Sequence, residues 1–443
     1  MIVEFTFGNF RSFKNVETFS MVAAPLKSKN KEIDILNTFK AGTIKLLRSK
    51  AIFGSNASGK SNIIKAITLV ITLLRNSVKD DQLVEKFAAE YFALDEEGKA
   101  KPLFFQIVFL HDGTQYRYGF SLQGKDIIAE WLFSFTGKTD VYLFKREGMD
   151  VKVNDKRFFE AKKFQGLTGK GDNEIFRSNS LFLSSVAAMG VLKAQDIMNA
   201  LSVRTTVLQG IDENYMSDAT LKQVTSEEGN KEILELLQSA DFNISSLEVL
   251  QDEVDASVIP KEVLQRFPGK EVKKFKTVEF KSRRAAYNTQ LEKIGEVEKN
   301  FEYFESEGTK KFFLLGAILL RTLRSGNTLV IDELDARLHP LLTKKIVSLF
   351  HSETTNPHEA QLIFVTHDTN LLKPSFLRRD QICFVDKDRF GSSIIRTLIE
   401  YKGIRNDASY DKDYLQGKYK AVPFLNQVKK VVESKVLNNE SKN

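Results

Sequence analysis

The sequence predicts an α/β fold: a mixed sheet with flanking helices, an antiparallel β lobe, and an α-rich insertion between the two halves of the sheet. Three observations predict it. The octet Gly54-Ser55-Asn56-Ala57-Ser58-Gly59-Lys60-Ser61 stands between a strand pattern and a helix pattern. Two short apolar runs, at 328–331 and 361–366, read as strands buried inside a parallel sheet. Between 104 and 135 the pattern turns to short strands separated by Asp112-Gly113 and Gly124-Lys125, both hairpin signals.

Taken in order, residues 2–7 alternate as a strand, and Asn9-Phe10-Arg11-Ser12-Phe13 forms a turn. Residues 45–53 read as one strand ending at Gly54, and 62–74 as a helix with apolar positions at helical spacing. Strands are expected at 105–110, 116–122 and 127–135, and a polar loop at 162–173 containing Gly166, Gly169 and Gly171. Helical patterns dominate 181–208 and 231–240. Residues 268–284 look extended, with Val272, Phe275, Val278 and Phe280 among lysines. Gly326-Asn327 introduces the strand 328–331, a helix follows at 341–351, and the tail from 434 frays. There is no internal repeat and no sustained heptad pattern, which argues against a long coiled coil.

A length of 443 residues suggests more than one domain. The expected division is an N-terminal lobe at 1–139, an α-rich insertion at 140–300, a C-terminal lobe at 301–400 and an extension at 401–443 with a partly disordered tail. The insertion is read either as an arm for oligomer or partner contact, the favoured reading, or as a lid that only completes the fold. Hydrophobic residues make up 42% and charged residues 28% of the chain, so it can build a sizeable core. The net charge of +7 permits an acidic partner without demanding one. The single cysteine, Cys383, excludes an intrachain disulfide and a multi-cysteine metal site. Its apolar surroundings predict a buried, inert thiol. The first residues carry no signal-peptide pattern, and no apolar run approaches the roughly 20 residues of a membrane span. The expectation is a soluble cytoplasmic protein without a membrane partner.

The octet fits G-x-x-x-x-G-K-[ST] in the strand-to-helix context that motif needs. Small residues let backbone N–H groups close around phosphate oxygens, and the helix N-terminus adds partial positive charge. Residues 54–61 together with Asn62 therefore predict an ATP site, with Lys60 on the β- and γ-phosphates and the Ser61 hydroxyl on Mg²⁺. The second half of such a site is an apolar strand ending in carboxylates, supplied by Thr328-Leu329-Val330-Ile331-Asp332-Glu333. Asp332 is the expected Mg²⁺ ligand, and Glu333 the base that orients and deprotonates water. His367, 34 residues after Glu333 at a strand end, is placed to sense the γ-phosphate. Ser306, Gly308 and Thr309 form a turn at a helix start that offers a hydroxyl and N–H groups to an anion.

With these motifs the sequence resembles the ABC-type ATPases of the SMC and RecF group. The resemblance rests on 9–13, 54–61 with Asn56, the 306–309 turn, Asp332-Glu333, Asp335 and His367. It implies a P-loop ABC-ATPase head. In that group two heads sandwich ATP, so Ser306 and Gly308 would contact a nucleotide held by the partner's Lys60, and Asp335 would lie across the dimer interface. The turn reads Glu305-Ser306-Glu307-Gly308-Thr309, whereas the group has Leu-Ser-Gly-Gly-Gln/Glu. Within the group the chain is similar to the RloA/AbiL-type anti-phage ATPases, with the PARIS-type ATPase subunit near. The segments carrying this likeness are 116–120, 179–183, 378–382 and 414–419.

The resemblance implies a homodimer or higher homo-oligomer that acts as an ATP-dependent sensor or scaffold. It would respond to a phage protein or nucleic acid and control a separate effector, a Toprim-like nuclease. Only 76 residues follow His367, which is short for a further catalytic domain. Asp386 and Asp388 are read as a hairpin turn and not as a metal site. The alternative is a DNA-repair ATPase binding DNA through Lys270, Lys273, Lys274, Lys276, Lys281, Arg283 and Arg284. Against it stands the plain reading of that row as the solvated face of a strand pair. A transporter ATPase is disfavoured by the long interruption between Lys60 and Asp332.

Overall fold

A computed structural model describes residues 1–135, 137, 139–165, 176–210, 218–255, 257, 274–405 and 408–422. The chain forms two compact units. One comprises Met1–Gly210, Leu323–Asp335 and Thr343–Asn443, and the other Ile211–Thr322 and Ala336–Leu342.

The first unit is an α/β head. Its N-terminal elements are β1 (Ile2–Gly8), β2 (Glu17–Ser20), the short helix α1 (Lys31–Leu36), the pair β3 (Thr38–Ala41) and β4 (Ile44–Leu47), and β5 (Ser49–Gly54). Helices α2 (Lys60–Asn76) and α3 (Leu83–Ala88) lead to β6 (Leu103–His111), β7 (Thr114–Gln123), β8 (Asp126–Phe135), β9 (Asp140–Glu147) and β10 (Asp150–Val153). These build a seven-stranded antiparallel sheet in the order β10-β9-β8-β7-β6-β1-β2. Helices α4 (Phe182–Ala188) and α5 (Leu192–Ser202) come next, followed by β11 (Thr205–Leu208).

Residues 140–210 thus belong with the head and not with an insertion that begins at 140. Their strands extend the antiparallel sheet, and β11 becomes an edge strand of the second sheet. That second sheet runs β11-β15-β16-β5-β17-β18, with β15 (Thr328–Ile331), β16 (Gln361–Val365), β17 (Ile382–Lys387) and β18 (Ser393–Thr397). Every pairing in it is parallel except β17 with β18. One apolar core joins Phe5, Phe7, Phe105 and Tyr118 of the antiparallel sheet to Ile63, Ile64 and Ile67 of α2 and to Val330, Ile363 and Cys383 of the parallel sheet. Burial pushes the Cys383 thiol up to about 12, the inert state its surroundings predicted.

Two local expectations are corrected. The single strand at 45–53 is two strands in different sheets. β4 pairs with β3, whereas β5 pairs with β16 and β17. Arg48 marks the switch: it is buried, and its guanidinium donates to Asn356 O at 3.3 Å and to Glu359 at 3.2 Å. The helical pattern at 181–208 ends early, because Thr205–Leu208 pairs with β15 at full register. Asp388 forms the expected turn, its carboxylate accepting from the N–H groups of Phe390 and Ser392, while Asp386 lies in β17 opposite Ile394. The glycines Gly166, Gly169 and Gly171, residues 268–273 and the tail from 434 lie outside the described residues.

The second unit holds α6 (Asp218–Thr225), α7 (Glu227–Ser239), and an antiparallel sheet of β12 (Ser246–Asp255), β13 (Lys274–Tyr287) and β14 (Lys293–Asn300). Helices Phe301–Phe304 and Glu307–Ser325 follow. The Phe313 ring packs at 5.2 Å from Phe280 and 5.0 Å from Phe301, which fixes β13 to these helices. Among the described residues no helix is long and apolar enough to cross a membrane.

Candidate functional site

All six residues of β5 are buried, and its neighbours on either side are β16 and β17. The strand delivers its C-terminal end to the sheet edge where α2 begins. Gly54 has no room for a side chain: a Cβ would lie 2.4 Å from Val385 O and 2.7 Å from Ser58 Oγ. Gly59 adopts φ 111°, and a Cβ there would meet Ser393 Oγ at 2.4 Å and Ser12 Oγ at 2.6 Å. No side chain caps α2, so its first N–H groups are available to an anion. Lys60 is only 6% exposed, and its Nζ donates to Gly54 O at 2.9 Å and Ser55 O at 2.8 Å. The ammonium therefore lies inside its own loop. Burial lowers its pKa, opposed by Asp332, Glu333 and Asp335.

Because β5, β16 and β15 are parallel, their C-terminal ends share one edge, the usual ligand edge of such sheets. That edge carries Gly54, His367 just after β16, and Asp332 just after β15. Asp332 N–H donates to Leu208 O at 2.9 Å, which continues the ladder with β11. Glu333 follows with φ 54°, a left-handed conformation rare outside glycine and concentrated at functional turns. Asp335 turns back on the site: both its carboxylate oxygens accept from His367 N–H, at 3.1 and 3.2 Å. Partial burial and the Lys60 charge lower the His367 pKa, with Asp335, Glu333 and Asp332 opposing. The shift favours the neutral ring, which offers an N–H without a second positive charge.

Asp332 Oδ1 and Ser58 Oγ are buried and have no hydrogen-bond partner among the described residues. Buried polar atoms are nearly always satisfied, so these two, on the loop and strand end that flank the Lys60 ammonium, retain bonding capacity that suits a ligand. The residues suit Mg²⁺: the Ser61 hydroxyl and the Asp332 carboxylate are hard oxygen donors.

Sequence reasoning did not find what stands behind the loop. Ser393 Oγ donates to Ser58 O at 2.5 Å and accepts from the Ser12 hydroxyl at 2.7 Å, while Ser12 Oγ accepts from Asn62 Nδ2 at 2.8 Å. Ser12 and Ser393 thus buttress the loop, and the Asn62 amide is engaged in the same support. The 9–13 segment acquires a physical reason: Phe10 and Phe13 are buried on Phe7, and this holds Ser12 in place. The segment 414–419 also contributes, with the Tyr414 ring 6.1 Å from Phe53 and 5.4 Å from Phe384.

The turn at 306–309 belongs to the second unit. Ser306 Oγ accepts from Thr309 N–H at 3.2 Å and contacts Thr309 Oγ1 at 2.8 Å. Gly308 is sterically required, since a Cβ would lie 2.8 Å from Arg337 O. Glu305, in place of the usual leucine, is buried and accepts from Ser282 Oγ at 2.7 Å and from Arg284 Nε at 3.1 Å. The basic row on β13 is largely paired: Arg283 with Glu248 and Glu298, Lys281 with Glu298, and Lys274 with Glu253. Lys270 and Lys273 lie outside the described residues.

A glycine-rich strand-to-helix loop with a buried ammonium, an acidic strand end and a histidine on one sheet edge are the features of a P-loop ATPase. Residues 51–373 match the family described as AAA domain, putative AbiEii toxin, Type IV TA system, and the chain belongs to that family. Among solved structures it is similar to the SMC head domain from Thermotoga maritima, with 13% identity over 89% of this chain and 98% of that one and a TM-score of 0.39. No curated protein matches it.

Proposed function

We propose that the chain is the ATP-binding and ATP-hydrolysing subunit of an anti-phage defence system of the abortive-infection type, a sensor or scaffold that controls a separate effector nuclease. The observation that carries the ATPase part is the single sheet edge uniting Lys60, Asp332, Glu333 and His367, with Asp332 Oδ1 unsatisfied. The defence part is supported by the family's description as a toxin component and by the RloA/AbiL-like segments.

In this reading the α2 N-terminus and Lys60 hold the phosphates, and Ser61 and Asp332 hold Mg²⁺. The bound cation supplies charge neutralisation on the β- and γ-phosphate oxygens. Glu333, in its left-handed turn just after β15, accepts a proton from the attacking water. His367, held at its backbone by Asp335, donates a hydrogen bond to the γ-phosphate as negative charge develops there. Ser306, Gly308 and Thr309 of a second copy complete the site, so the working unit is at least a dimer.

Complementation between inactive copies tests the shared site. Lys60→Ala and Ser306→Arg chains are each inactive alone. Mixed, they regain a substantial fraction of ATPase activity, because one composite site is intact. A mixture that stays inactive contradicts the shared site. DNA cleavage by the purified chain with Mg²⁺ alone contradicts the separate effector. The repair alternative gains nothing from β13, whose described basic side chains Lys281 and Arg283 are paired with glutamates.

A further inference from the structure

His111, at the end of β6, has a side chain only 3% exposed, and its two ring nitrogens face two different carboxylates. Nε2 lies 2.8 Å from Asp196 Oδ2 on α5. An ionised carboxylate only accepts, so Nε2 carries the proton and donates. Nδ1 is buried and has no hydrogen-bond partner among the described residues, and Asp112 Oδ1 stands 3.6 Å away. In the neutral ring Nδ1 is a lone pair. A nitrogen lone pair and a carboxylate oxygen then face each other, an arrangement that is repulsive unless a cation lies between them.

Two cations can fill that role, and the spacing separates them. A proton on Nδ1 would draw Asp112 in to the roughly 2.7–2.9 Å of a charge-assisted hydrogen bond. Two ligands about 2.0–2.1 Å from a tetrahedral metal ion stand about 3.3 Å apart, close to what is found. One ligand atom from each of His111, Asp112 and Asp196 lies within 4.8 Å of the others.

We propose that His111 Nδ1 and Asp112 ligate a divalent transition-metal ion of the zinc class, with Asp196 holding the far ring N–H. Imidazole with carboxylate suits Zn²⁺ better than Mg²⁺ or Ca²⁺, which prefer all-oxygen sets. Asp196 fixes the tautomer and the ring orientation by accepting from the far N–H, as outer carboxylates do around ligating histidines. Water fills the remaining positions. The ion fixes the β6–β7 turn to the His111 ring, which the Asp196 hydrogen bond already holds against α5, and the chain after α5 leads into β11, the strand paired with the Asp332-bearing β15. This site is separate from the nucleotide site and does not depend on the chain hydrolysing ATP.

Zinc titration of the full chain by calorimetry, without nucleotide and in an Asp332→Asn background, tests the proposal. The expected result is one Zn²⁺ per chain and a rise in Tm on binding. Adding Asp112→Asn weakens binding at least tenfold and removes the Tm rise, and Asp196→Asn weakens it about tenfold. Asp112 is 75% exposed at φ 45°, a conformation asparagine accepts, so the metal-free Tm of that variant stays unchanged. Nitrogen NMR supplies a second measurement: Zn²⁺ shifts the unprotonated Nδ1 resonance of His111. Zinc binding unaffected by Asp112→Asn, or a His111 ring doubly protonated and unmoved by Zn²⁺, overturns the proposal.

Discussion

Two buried clusters in the head unit both contain charge, and they end differently. In the antiparallel sheet, Glu130 accepts from Tyr118 Oη at 3.0 Å, from Leu183 N–H at 3.1 Å and from Phe182 N–H at 2.6 Å. Its partner Arg146 donates to Gly148 O at 2.7 Å, Ser180 O at 2.6 Å and Ser178 O at 2.9 Å. These polar groups find their partners within the chain. At the P-loop, Lys60 has only backbone carbonyls as hydrogen-bond partners, while Ser58 Oγ and Asp332 Oδ1 have none. Burial of charge therefore does not by itself distinguish function. The satisfied cluster fastens residues 178–183 to β8 and β9, whereas the polar atoms around Lys60 retain bonding capacity that suits a ligand.

Substitution should separate the two clusters, and the largest expected effect is structural. Glu130→Ala leaves the Arg146 charge buried without its partner, and denaturant unfolding should show a loss of about 3–5 kcal/mol. Lys60→Ala should behave oppositely. Nucleotide-free stability stays within about 1 kcal/mol of the parent, while equilibrium binding of ATP weakens about 100-fold, or about 2.7 kcal/mol. If Lys60→Ala unfolds the chain as Glu130→Ala does, the distinction fails.

A third test uses pH. His351 is fully buried against Ser49 Oγ at 2.7 Å, and burial, then Arg48, lowers its pKa from 6.5 to about 3. The folded state keeps it neutral while the unfolded chain protonates near 6.5. Its contribution is thus present above pH 6.5 and is lost at about 1.4 kcal/mol per pH unit as pH falls toward 3. His351→Gln should flatten that limb in acid unfolding curves. The smallest effect belongs to the buttress. Ser393→Ala removes hydrogen bonds to Ser58 O and Ser12 Oγ and should cost about 0.5–1.5 kcal/mol, with a measurable loss of ATP affinity as the loop loosens.

The parts of the site legible in the sequence are those whose chemistry is local. The loop at 54–61 and the pair Asp332-Glu333 each carry strand, turn and function within a few residues. Ser393 carries no such signal: it reaches Ser58 O only because β17 and β18 bring it back across 335 residues. The break at Arg48 was hidden because 45–53 alternates too little to show that it serves two sheets. β11 was hidden because four residues at the end of a helical pattern have no period of their own. The basic row on β13 was visible as charge, but its pairing with Glu248 and Glu298 depends on register between strands. The α-rich reading of the insertion caught α4 to α7 and missed that residues 140–210 complete the head.

The central claim is that one sheet edge performs ATP hydrolysis with Glu333 as the base. Single-turnover hydrolysis by Glu333→Gln, measured beside equilibrium ATP binding, tests it most directly. The amide keeps the size of the side chain but cannot take the proton from water. ATP binding should therefore stay within about twofold of the parent, while the hydrolysis rate falls about 10²–10⁴-fold. Hydrolysis by Glu333→Gln at the parent rate would contradict the assignment.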